Sequence, residues 1–215
     1  MPPAELDVLH VDDSLLVLHK PSGLLSVPGR GEAKQDCLSA RAQSRYPDAL
    51  IVHRLDMATS GLMLLARGAA AQRSLNAAFA GRMVSKRYLA VVDGLISPPA
   101  KDWDTIDLPI IVDWPNRPRR IIDTTLGKPS QTRWRLLSHN ALANTSRLEL
   151  EPVTGRSHQL RVHLQAIGHA ILGDALYAEP QVLALSPRLL LHASALVLTH
   201  PVTGAALLFS SEADF

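Results

Sequence analysis

A lone carboxylate, Asp56, stands in the segment His53-Arg54-Leu55-Asp56-Met57-Ala58-Thr59-Ser60-Gly61, between a basic residue and the apolar run Leu62–Ala66. A nearby guanidinium keeps such an acid ionised at pH 7, as a nucleophile or base requires. An Asp in a Thr/Ser/Gly-rich turn also serves as a turn-former or helix cap, so residue type alone leaves both roles open. Other chemistries lack their residues. There is no G-x-x-x-x-G-K-[ST] loop and no G-x-G-x-x-G at a strand–helix junction, so no nucleotide cofactor is expected. No G-x-S-x-G elbow is present. His158 and His163 are five apart, which splays them on a helix, whereas paired metal ligands want four, and no metal is expected. The single cysteine, Cys37, excludes an intramolecular disulfide and any multi-thiolate zinc site.

The elements around these residues follow from periodicity and turn chemistry. Leu6–Val11 and Leu15–His19 read as short strands joined at Asp12-Asp13-Ser14. Lys20–Gly31 (KPSGLLSVPGRG) is a long loop, of the kind that often carries function. A helix is expected over Asp36–Tyr46, a loop over His53–Gly61, a strand over Leu62–Ala66 and a helix over Ala69–Ala80 stopped by Gly81. Lys86–Asp93 is a strand; Thr132–Ser138 and Ser146–Leu150 form an antiparallel pair around a turn at Asn140–Asn144. His158–Ile167 is a helix, and Leu190–Thr199 and Ala206–Phe209 close the chain as strands. The class is α+β: a mixed, largely antiparallel sheet flanked by helices and loops. No linker or repeat divides residues 1–215, and one domain is expected.

The chain has 215 residues and a formal net charge of +2, unevenly spread. Arg67–Arg87 holds five basic residues and no acid; Trp114–Arg135 holds six, among them Arg117, Arg119 and Arg120, against Asp123 alone. These stretches carry +10 and the remainder −8. A solvated helix face explains one such run; two point to a surface that meets a polyanion. Arg suits that task, because its planar fork binds phosphate at two points and stacks on bases. No signal peptide is visible at the N-terminus, and no apolar run approaches the ~20 residues of a membrane span. A cytoplasmic protein that engages no membrane is expected.

HRLDMATSG resembles the catalytic loop of the RluA family of RNA pseudouridine synthases, with Asp56 at the essential aspartate. Lys86–Ala90 (KRYLA) is similar to the family's K-x-Y segment and puts Tyr88 at the active-site tyrosine. Gly155–His163 (GRSHQLRVH) resembles its third motif, with Arg161, after Leu160, at the basic partner of the aspartate. KPSGLLSVPG near the start and LLLHA…HP near the end also fit, so the likeness runs from about Leu6 to Phe215. Asp107–Pro118 and Gly127–Thr132 are similar to the small dual-specificity branch, which acts on 23S rRNA and a tRNA anticodon stem-loop. An appended N-terminal S4 domain, found in many relatives, is expected to be absent.

The resemblance implies an isomerisation without a cofactor: the uracil N1–C1′ bond breaks, the base rotates, and C5 bonds to C1′. The target base must first leave its stack for a pocket. Asp56 is then the nucleophile, or the base that removes a sugar proton. Arg161 holds it ionised, and Tyr88 stacks on the uracil or moves a proton at C5. Arg54 is expected to fill the gap left by the flipped base. His53 is expected at the RNA face and in shaping the loop; Arg156, His158 and Gln159 bind phosphate or base, or brace the loop. A monomer acting on structured RNA is expected. One rival is a non-catalytic RNA-binding or ribosome-assembly factor on the same fold. The other is a small hydrolase using Asp56, which would want paired carboxylates.

Overall fold

The computed structural model describes residues 6–215; residues 1–5, on which the expectation of no targeting signal partly rests, lie outside the described residues. The chain divides into two compact units. The first runs to Lys86 and takes back His192–Asp214; the second comprises Arg87–Leu191 with Phe215.

In the first unit β1 (Val8–Val11) and β2 (Leu15–Lys20) form the expected hairpin, and β1 starts two residues late, where its register with β2 shifts. Helix α1 (Leu38–Arg45) begins two residues after the expected Asp36, because Cys37 is its N-cap: the thiol sulfur accepts the Ala40 N–H at 3.4 Å. A short β3 (Ala49–Ile51) precedes β4 (Ser60–Arg67) and α2 (Gly68–Ala80). Leu15-Leu16-Val17-Leu18 and Leu62-Met63-Leu64-Leu65 are continuous apolar runs because both sheet faces are covered. Alternate side chains go to opposite faces. Leu15, Val17, Leu62, Leu64 and Ala66 pack under Ala71 and Leu75 of α2. Leu16, Leu18, Met63 and Leu65 pack under Leu38 and Ala42 of α1.

The second unit opens within β5 (Ser85–Asp93) and continues through β6 (Asp104–Asp107), the hairpin β7 (Ile110–Val112) and β8 (Arg120–Ile122), β9 (Gln131–Asn140) and β10 (Thr145–Pro152). β5 pairs with β10, β10 with β9, and β9 with β6, all antiparallel. Helix α3 (Gln159–Ala166) follows, one residue shorter at each end than expected, with His158 as its cap. A four-residue α4 (Pro180–Leu183) precedes the last pair, β11 (Leu191–Thr199) and β12 (Ala206–Ser210), which return to the first unit. There β11 lies antiparallel to β12 and parallel to β4. The class is α+β with a mixed sheet, as the sequence implies.

Candidate functional site

The β2–β4 register sets Lys20 opposite Gly61, directly beside the end of the Asp56 loop. Lys20 is fully buried. Its ammonium donates to the carbonyl oxygens of Pro21 (2.9 Å), Leu24 (2.8 Å) and Met57 (3.0 Å). Burial lowers its pKa to about 8, while the Asp56 carboxylate pulls the other way. The loop after Lys20 then grips the Asp56 loop carbonyl by carbonyl. Ser26 Oγ donates to the Leu55 oxygen (2.7 Å) and accepts the Leu55 N–H (3.1 Å). The Asp56 oxygen accepts from Thr59 N–H, the Met57 oxygen also from Gly23 N–H, and the Ala58 oxygen from Ser22 Oγ. Each carbonyl from residue 55 to 58 therefore has a donor, and the half-buried Asp56 side chain projects from a fixed backbone.

The far end of the loop is pinned as firmly. Gly61 has φ +107, and a Cβ there would stand 2.3 Å from the Ala193 carbonyl oxygen, so only glycine permits this approach of β4 to β11. Ser60 Oγ lies 3.0 Å from His192 Nδ1, and His192 Nε2 lies 3.1 Å from Ser211 Oγ. His53 stacks on Phe79 at 4.7 Å, and its Nε2 accepts the Leu64 N–H at 2.9 Å. Desolvation, helped by the Lys86 charge, pushes its pKa down to about 4, so the ring is neutral near pH 7. His53 therefore braces the strand after the loop. Arg54 is exposed.

In the second unit Tyr88 lies on β5 opposite Leu150, half-buried. Arg161 is 4 % exposed. Asp174 holds it by two bonds, Nε to Oδ2 at 2.8 Å and Nη2 to Oδ1 at 2.6 Å. Such a two-point pair fixes the guanidinium plane. Gln159 and Leu160 are buried. The Gln159 amide donates to Gln131 O and Thr132 Oγ1 and accepts from Thr154 Oγ1 and the Arg156 N–H, bracing the turn that starts α3. Arg156 is exposed, whereas His158 is half-buried with Nδ1 2.7 Å from the Tyr177 hydroxyl. His163, fully buried between Thr132 and Leu108, has its pKa lowered by burial. Among the described residues no group of three or more His, Cys, Asp and Glu side chains is arranged to hold a metal ion.

The basic stretches look different in three dimensions. Arg67 pairs with Asp48 (3.2 Å). Arg87 and Arg133 both reach Glu151, at 2.6 and 2.7 Å, and Arg135 reaches Glu149 at 2.6 Å. The last three guanidiniums also surround the Trp103 ring. Strand β10 thus supplies acids that offset part of both runs. The tip of the β7–β8 hairpin keeps its cationic character: Arg117 and Arg119 are exposed, Arg120 is half-buried, and Arg117 lies 4.6 Å over the exposed Trp114 ring. Lys20, which grips the Asp56 loop, and Asp174, which holds Arg161, are partners of the candidate residues that motif spacing does not reveal.

A family model described as RNA pseudouridylate synthase matches residues 14–166. The chain belongs to the RNA pseudouridylate synthase family, whose members are isomerases acting on RNA. It is 50 % identical over 216 residues to the Dual-specificity RNA pseudouridine synthase RluA of Escherichia coli strain K12, covering 100 % of this chain and 97 % of that protein. Identity to the protein of the same name from Haemophilus influenzae is 45 %, with the same coverage. Among solved structures, human RNA Pseudouridylate Synthase Domain Containing 1 superposes with a TM-score of 0.79 at 29 % identity, over 99 % of this chain and 85 % of that one. Human RNA Pseudouridylate Synthase Domain Containing 4 gives 0.75 at 26 %, over 96 % and 88 %. Among the described residues no helix is long and apolar enough to cross a membrane.

Proposed function

We propose that this pseudouridine synthase modifies uridines in stem-loops of 23S rRNA, of a tRNA anticodon arm, or of both, as a cytoplasmic monomer without cofactor, with residues 1–215 acting as one catalytic domain. The family match, which runs across the boundary at Lys86, supports the one-domain reading. The likeness to dual-specificity relatives over the full chain supports the substrate class.

The observation that carries the catalytic assignment is the pinned loop. Carbonyls 55–58 are all held, a buried cation acts on the Asp56 carboxylate, and Asp56 is left half-buried. A reacting group held in one geometry lowers the entropic part of its barrier. Asp56 opens the reaction on the flipped uridine. As the N1–C1′ bond breaks and C5 bonds to C1′, the C5 proton is lost and N1 gains one. Tyr88 stacks on the base and serves that transfer. Arg161, oriented by Asp174, supplies the charge that keeps the carboxylate ionised. Arg54 occupies the emptied place in the stack, and His53 shapes the loop from beneath. Arg156, His158, Gln159 and Leu160 form the turn that faces RNA, with Arg117, Arg119 and Arg120 on phosphates.

Incubation with tRNA and 23S rRNA fragments, followed by mapping of pseudouridine, tests this reading. Modified positions in either RNA are expected from the parent protein and none from Asp56→Asn, which still binds RNA. An Asp56→Asn protein that turns over would remove Asp56 from the chemistry. RNA bound by the parent without any pseudouridine would turn the reading into that of a binding factor.

A further inference from the structure

Tyr177 is 6 % exposed and sits between the β7–β8 hairpin and α3, its ring packed with Ile110, Ile122, Val162 and Leu176. A buried tyrosine hydroxyl needs partners. Here it accepts the backbone N–H of Arg120 at 2.8 Å and lies 2.7 Å from His158 Nδ1. His158 holds a left-handed backbone, φ 58, at the start of α3, a conformation unfavourable for a residue with a Cβ. The ring itself meets two guanidiniums: Arg161 stands 5.1 Å from its centroid and Arg119 5.7 Å. The turn that delivers Tyr177 is anchored to the same arginine, because Asp174 Oδ1 accepts the N–H groups of Leu176 (2.9 Å) and Tyr177 (3.2 Å) while the carboxylate holds Arg161.

We infer that Tyr177 is a positioning residue which locks the Arg117–Arg120 hairpin to the start of α3, so that the arm meeting RNA keeps a fixed place relative to Arg161. The inference rests on the RNA reading proposed above. The hydroxyl and the ring have separable tasks. The hydroxyl holds the hairpin through the Arg120 N–H, and the ring backs the Arg161 guanidinium. Without the hydroxyl that partly buried N–H loses its acceptor. The hairpin then samples other orientations, and apparent RNA affinity falls by the fraction no longer competent to bind.

The test uses the intact chain and a stem-loop RNA that the parent modifies, with RNA dissociation constant, single-turnover rate at saturating RNA, and exchange of the Arg120 amide proton as readouts. Tyr177→Phe is expected to weaken RNA binding about three- to tenfold, leave the saturated rate nearly unchanged, and accelerate Arg120 exchange. Tyr177→Leu, which also removes the ring, is expected to lower the rate as well. Combined with Tyr177→Phe, Arg117→Ala is expected to cost less than alone, since a freed arm has less binding to lose. Tyr177→Phe with parental affinity and parental Arg120 exchange overturns the inference, as does a loss confined to the rate. A Tyr177→Leu chain that does not fold leaves the decision with the Phe variant. A parent that modifies no RNA would sink the proposed function, whereas Arg120 exchange reads the lock without RNA.

Discussion

Lys20 Nζ lies 3.0 Å from the carbonyl oxygen of Met57, the residue that follows Asp56. The bond joins the end of one buried strand to the loop that carries the candidate catalytic acid, and it places a buried cation whose field reaches Asp56. Replacing Lys20 by Met keeps the apolar stem and removes three hydrogen bonds. The Met57 carbonyl keeps the Gly23 N–H, but those of Pro21 and Leu24 lose this donor, at a cost of about 1–3 kcal/mol, so Lys20→Met is expected to lower the urea midpoint and to cut the rate of pseudouridine formation. Paired unfolding and turnover measurements check both.

The same lysine makes stability depend on pH. Its pKa is about 8 in the fold against 10.5 for an ordinary lysine. Below pH 8 both states carry the proton; between 8 and 10.5 the unfolded chain retains a proton that the folded chain has released. Stability therefore rises with pH across that window. Measured as the difference between parent and Lys20→Met, so that other titrating groups cancel, the gain should approach about 3 kcal/mol by pH 10.5, at 1.36 kcal/mol per unit. A flat difference would mean that Lys20 titrates as a solvent-exposed lysine.

Gly61 and Gly23 bracket this loop system and separate two kinds of glycine requirement. Both have positive φ, +107 and +86, but a Cβ at Gly23 meets nothing within 4 Å, whereas one at Gly61 drives into the Ala193 backbone at 2.3 Å. Gly23→Ala is expected to cost only the torsional penalty, about 1–2 kcal/mol. Gly61→Ala adds a backbone clash that no side-chain rotation relieves, and is expected to cost more than about 3 kcal/mol. Urea titrations of the two variants give the comparison directly.

Asp56 is legible in the sequence because its loop combines an acid, a guanidinium and turn-forming residues just before an apolar run. The strands flanking the Asn140–Asn144 turn are legible for the same local reason, alternation interrupted by turn chemistry. Lys20 is not: a lysine closing an apolar strand reads as the solvent-facing end, and only the pairing of Lys20 with Gly61 reveals that it is covered. Asp174 lies thirteen residues from Arg161, and no spacing rule connects them. Part of the charge runs is offset for a reason of the same kind. Arg133 and Arg135 stand opposite Glu151 and Glu149 through the β9–β10 register, a relation invisible to a count along the chain.

That cross-strand register yields the sharpest test of which arginines meet RNA. Removing one arginine–phosphate interaction lowers the log–log salt slope of binding by about 0.7 to 0.9. Arg117 and Arg119 are exposed at the hairpin tip, so Arg117→Ala and Arg119→Ala are each expected to weaken stem-loop binding and flatten the slope by about that amount. Arg133 and Arg135 already hold carboxylates at 2.7 and 2.6 Å and line the Trp103 ring. Withdrawing either for a phosphate would take one of two guanidinium partners from a partly buried glutamate, leaving it to Arg87 alone. Arg133→Ala and Arg135→Ala should therefore leave the salt slope unchanged, with their effect confined to stability. Binding isotherms at several salt concentrations for the four variants distinguish the two groups. Equal slope changes in all four would mean that the acids of β10 do not withhold these arginines from RNA.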